Sequence, residues 1–214
     1  MEARTTSKGK MLSTTSRAVR LLAAALIVLA AVAATALAVV TRSLSSFLLS
    51  SHEQTGYTVS GHPSTQDSTK AFVNYGGGST KTKANETAEL TKAGFVAAAD
   101  EQLRASHGRQ GFSLVMEFTS AAGAQSAATT LFKNAIAQQG KGAKLIRFKV
   151  KGVPGAKGVI AVGAGASTSN VYWADGQCAF GSGDYVPKQA GALDKPVITG
   201  VQSVHQRVKG ACPS

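Results

Sequence analysis

The side chains able to do chemistry in this chain are few and scattered. Four histidines occur, His52, His62, His107 and His205, and none stands at ligand spacing from another His, a Cys or a pair of carboxylates. The nearest neighbour is Glu53, beside His52. Zinc requires three or four converging ligands, so this pattern predicts no metal centre. Asp175 and Asp184 offer an acid–base pair in principle, but each adjoins a glycine, which marks a turn residue. Gly181-Ser182-Gly183 lacks the Gly-x-Ser-x-Gly frame of a nucleophile elbow. Gly76-Gly77-Gly78 precedes Lys81 and Thr82 without the spacing of a phosphate loop. No catalytic, cofactor-binding or metal-binding residue is assigned, and no cofactor is expected.

Two features remain. Cys178 and Cys212 are the only cysteines, and neither belongs to a Cys-x-x-Cys motif. In an exported domain they would form one bridge; in a cytosolic chain they would be two free thiols. The second feature is charge. No Asp or Glu occurs between Glu117 and Asp175, whereas Lys133, Lys141, Lys144, Arg147, Lys149, Lys151 and Lys157 fall in that stretch. Residues 144–150 alternate as a half-buried strand, which would put Arg147, Lys149 and Lys151 on one face. With Lys144 and Lys157 nearby, the expectation is a basic ridge facing an anionic envelope component or another envelope protein. The plain alternative is a solvated strand face whose lysines discourage edge pairing.

The elements that must carry these residues begin with an anchor. Residues 21–40 are apolar apart from Thr35 and carry no charge. Twenty residues of helix span about 30 Å, the hydrocarbon thickness of a bilayer. Arg4, Lys8, Lys10, Arg17 and Arg20 precede the run against Glu2 alone. Positive flanks stay in the cytoplasm, so the C-terminal part is expected outside the cell membrane. A cleaved signal peptide is the competing reading, through Ala34-Thr35-Ala36 or Ala36-Leu37-Ala38. The apolar run continues to Val40 with no polar stretch before either site, which favours a retained single-pass anchor. The expected organisation is a basic disordered cytoplasmic tail (1–20), a transmembrane helix in the bilayer (21–42), a Ser/Thr/Gly-rich stalk (43–85) and an extracytoplasmic domain (86–214).

The domain has the length for one core. Its pattern predicts a helix over 86–106, a strand over 112–118 and a helix over 121–139 capped by Ser120. Strands follow over 144–150, 159–162, 169–173 and 177–180, then a helix over 197–208 with Val197, Val201, Val204 and Val208 on one stripe. Short connections between successive strands imply an antiparallel sheet, with helices over one face. The fold class is α+β.

Three stretches carry a resemblance across residues 93–185: Phe118-Thr119-Ser120-Ala121-Ala122-Gly123-Ala124, Val153-Pro154-Gly155-Ala156-Lys157-Gly158 and Asn170-Val171-Tyr172-Trp173-Ala174-Asp175-Gly176. In these the chain resembles a group of exported proteins of high-GC Gram-positive bacteria, anchored by a lipid or by one membrane helix. Some of their domains look similar to the Mog1/PsbP-like α/β/α sandwich. The resemblance implies a fold and an address, and no catalytic residues.

The net charge of +12 leaves seventeen Lys and Arg against ten Asp and Glu after Arg42. Nucleic acid is not an expected partner, because the domain faces outside and Phe112, Tyr172, Trp173 and Tyr185 are too dispersed for a stacking platform. The expected function is a non-enzymatic binding or interaction domain held at the membrane. The alternative is a cell-envelope enzyme whose site the sequence does not display.

Overall fold

A computed structural model describes residues 43–50, 53–75, 80–139, 142–187 and 195–213, all within one unit, Ser43–Ser214. The tail and the anchor expected over 1–42 lie outside the described residues. Among the described residues no helix is long and apolar enough to cross a membrane.

Seven strands form one sheet in the order β1-β2-β3-β7-β6-β5-β4, every neighbouring pair antiparallel. They are β1 (Thr58–Gln66), β2 (Phe95–Arg104), β3 (Gln110–Phe118), β4 (Lys144–Phe148), β5 (Lys157–Val162), β6 (Ala166–Asp175) and β7 (Cys178–Pro187). The helices are α1 (Thr69–Tyr75), α2 (Thr80–Lys92), α3 (Ala121–Ala137) and α4 (Lys195–Val208). After β3 the chain crosses the sheet through α3 to the far edge. It then returns strand by strand until β7 pairs with β3.

Alternation along the strands divides the core. Ala99, Leu103, Val115, Trp173 and Phe180 face α4 and the segment at Leu48 and Leu49. Ala98, Met116, Phe118 and Ala179 face the other way, onto Val73, Leu90 and the alanines of α3. Helices therefore cover both faces, not one. The four valines expected on α4 are all buried. Ser120 caps α3, its hydroxyl accepting the Gly123 N–H at 3.1 Å.

Two further expectations are corrected. The stalk over 43–85 is structured wherever it is described. Leu48 and Leu49 lie in the core, β1 forms an edge of the sheet, and α1 and α2 follow. The strand tolerates its poor composition because it is an edge. Its register shifts between Ser60 and Ser64, so Gly61 and Pro63 sit in an irregularity rather than in a continuous ladder. The helix expected over 86–106 stops at Lys92, and Gly94 at φ 80° turns the chain into β2, which starts at Phe95. The run Ala97-Ala98-Ala99 favours helix by propensity. Here Ala98 and Ala99 are buried on opposite faces of the sheet, and that packing decides the outcome.

Candidate functional site

A groove of about 490 Å³ opens between α2 and α3. Its apolar lining is Leu90 and Ala93 from α2 and its end, with Ala127 and Leu131 from α3. Small side chains on α3 create the space. At Gly123 a Cβ would come within 2.0 Å of the Ala93 carbonyl oxygen, so only glycine allows this approach. Ser126, Thr130 and Asn134 add hydrogen-bonding groups, while Glu86 and Glu89, one turn apart on α2, and Lys92 at its end bring charges of both signs. Burial, and then the neighbouring Glu89 charge, push the Glu86 carboxyl above its ordinary range. The volume and the mostly apolar lining suit a small organic ligand.

On the opposite face a polar band lies under the segment after Ser43. Glu101, Ser113 and Ser182 are register partners across β2, β3 and β7, with Asp184 two residues further along β7. All four are buried. The Ser113 hydroxyl accepts the Leu49 N–H at 3.0 Å. Arg109 donates to Asp184 at 2.7 Å, with its guanidinium 5.0 Å from the Tyr57 ring centroid. Arg207 on α4 holds Glu53 through two bonds of 3.0 and 2.9 Å and also donates to the carbonyls of Ser46 and Leu48. Burial tends to raise the Glu53 carboxyl, but Arg207 and the Ser50 N–H outweigh it and hold Glu53 below its usual range. Glu101 goes the other way. Burial first, then the nearby Glu53 charge, raise it to about 7. Its Oε1 and both amide atoms of buried Gln54 have no hydrogen-bond partner among the described residues. This network ties the segment after Ser43 to the body of the domain.

Cys178 and Cys212 form a disulfide, with Cα atoms 5.9 Å apart. It pins the chain just beyond α4 to the start of β7. The five ridge cations, Lys144, Arg147, Lys149, Lys151 and Lys157, are all exposed. They do not share one strand face, because β4 ends at Phe148. Val150, Val153 and Ala156 turn into the core beneath α4, which takes Lys149 and Lys151 off the strand. Arg147 and Lys144 also project to opposite faces. The cations thus ring the β4 edge and the turn after it.

The remaining candidates stay apart. His62 and His107 are exposed, His205 is buried on α4, and His52 lies outside the described residues. Asp175 accepts the Gly210 N–H at 3.4 Å, while Asp184 pairs with Arg109. None of them lines the groove. Among the described residues no three His, Cys, Asp or Glu side chains are placed to share a metal ion. Sequence reasoning missed the groove and the Arg207 clamp, since both depend on segments read as stalk or as a longer helix. The one available signal was the Ala/Gly/Ser stripe of α3.

No family model and no curated protein matches the chain. Among solved structures, the extracellular domain of PknH from Mycobacterium tuberculosis is similar at 17% identity and a TM-score of 0.47, covering 76% of this chain and 94% of that one.

Proposed function

We propose that this protein is a membrane-tethered, extracytoplasmic binding domain without enzymatic activity, and that its ligand seats in the groove between α2 and α3. The groove carries the reading: it is concave, largely apolar and bordered by a few polar groups. Glu86, Glu89 and Lys92 border the groove with both signs of charge, which favours a ligand that brings hydrogen-bonding polar groups to an apolar body. The uncharged run over 21–40, with its positive N-terminal flank, supplies the tether and the direction. The Cys178–Cys212 bridge fits an oxidising compartment. A second contact surface is the ring of cations at the β4 edge, suited to an anionic envelope component.

Two measurements test this. A C-terminal tag is digested by protease added to intact spheroplasts if the domain lies outside, and a protected tag overturns the orientation. Titration of the purified full-length protein with the apolar fluorophore N-phenyl-1-naphthylamine, after subtraction of the signal from the detergent micelles alone, gives saturable binding. Ser126→Trp, which fills the groove from its exposed wall, abolishes it. Equal binding by both proteins removes the groove as the site.

A further inference from the structure

The two edges of the sheet are built differently. The β1 edge carries the protections of an exposed strand: a register shift between Ser60 and Ser64, Gly61 at φ 91°, and Pro63. The β4 edge carries none of these. Its register with β5 runs unbroken from Lys144 opposite Val162 to Phe148 opposite Gly158, without proline, glycine or bulge. Leu145, its second residue, is 39% exposed, one of two large hydrophobic side chains so exposed among the described residues. Such an edge presents a row of backbone N–H and C=O groups to whatever strand can approach.

Charge decides which strand that is. Lys144 and Arg147 lie on β4 itself, Lys149 and Lys151 follow it, and Lys157 begins β5. The stretch between Glu117 and Asp175 contains no acid to neutralise them. A second copy of this edge would bring like charges together and is repelled. The same charges admit an acidic strand, so one feature excludes self-pairing and selects a partner.

We propose that the β4 edge is a docking site for an extended acidic polypeptide segment, which adds an eighth strand to the sheet. Backbone pairing with β4 supplies the register. Acidic side chains lie opposite Lys144 and Arg147, and apolar ones lie opposite Leu145 and Ile146. The inference rests on the reading of this edge as a basic contact surface for anions and is independent of the groove.

The test uses full-length protein in detergent and a fluorescently labelled peptide, Glu-Glu-Val-Glu-Val-Val-Glu, followed by anisotropy. A second peptide of the same sequence carries N-methyl groups at alternate residues, which blocks strand pairing and leaves the charge unchanged. The expected result is saturable binding of the first peptide, at least tenfold weaker binding of the methylated one, and at least tenfold weaker binding by Arg147→Glu. Far-UV circular dichroism checks that this variant is folded. Equal affinity for the two peptides overturns strand addition and leaves only an anionic contact. Binding of neither, at 50 mM salt, overturns the contact surface as well.

Discussion

Replacing Glu101 by Gln should remove roughly 2–3 kcal/mol of the fall in stability that this domain undergoes between pH 5 and pH 8.5. Glu101 is 5% exposed, on the sheet face covered by the segment after Ser43. Burial is the main cause of its raised pKa, Glu53 and Asp100 act in the same direction, and Arg207 opposes them. The carboxyl moves from an ordinary 4.5 to about 7 in the folded protein. Below 4.5 both folded and unfolded chains hold the proton, and the group adds no pH dependence. Between 4.5 and about 7 the unfolded chain releases its proton first, so stability falls as pH rises. Above that range the penalty is constant. At about 1.4 kcal/mol per pH unit, the loss between pH 5 and pH 8.5 is roughly 2–3 kcal/mol. Gln preserves the shape and cannot ionise. Glu86 and Glu117 are also raised, but they titrate alike in both proteins and cancel in the comparison. Glu53 has the opposite sign. Its stabilising contribution is lost as pH falls through its lowered pKa, outside this window. Urea unfolding at the two pH values measures the difference. Wild type should lose roughly 2–3 kcal/mol more than Glu101→Gln. Equal losses would show that Glu101 titrates normally and that its surroundings are wet.

Removing the bridge with Cys178→Ala and Cys212→Ala frees a loop of sequence separation 34 and should lower stability by about 3–4 kcal/mol in urea unfolding; an unchanged midpoint would refute the pairing. Arg207→Ala releases Glu53 and the carbonyls of Ser46 and Leu48, so amide exchange should rise across the segment from Leu44 to Tyr57 while β3 and β7 keep their protection. Uniform exchange in both proteins would deny the clamp. Gly123→Ala drives a methyl into the Ala93 carbonyl and should cost about 1–3 kcal/mol in thermal or urea unfolding; a neutral result would contradict the close approach of α3 to the end of α2.

How much was legible depended on whether a segment shows a period that burial enforces. The valine stripe of α4 and the Ser120 cap of α3 were readable because one face of each helix is buried and one cap is local. The strands β3, β5 and β6 were readable as short apolar or alternating runs, but β7 only over its first residues, because Gly181, Gly183 and Asp184 read as turn residues. The two cysteines lay where a bridge proved geometrically possible. The segment before Glu86 was not readable. β1 is an edge whose pattern is mostly polar, and α2 has few apolar residues beyond Leu90, so neither announces itself by composition. Asp100 and Glu101 are both buried in β2, where ionisable side chains are uncommon. Gln66 bonds Asp100, and Glu101 is raised toward neutrality, which makes their burial tolerable. The basic ridge was half legible. The cations are exposed and clustered, but Val150 turning into the core ends the alternation that would have aligned them.

A ligand seated in the groove between α2 and α3 would travel with the protein through gentle purification. Native mass spectrometry of the full-length protein, purified gently from the membranes of the cells that make it, tests this most directly when wild type and Ser126→Trp are run side by side. A discrete mass above that of the chain is expected in wild type, released on denaturation and absent from the variant. The bare chain mass in both proteins, or the same adduct in both, would contradict it.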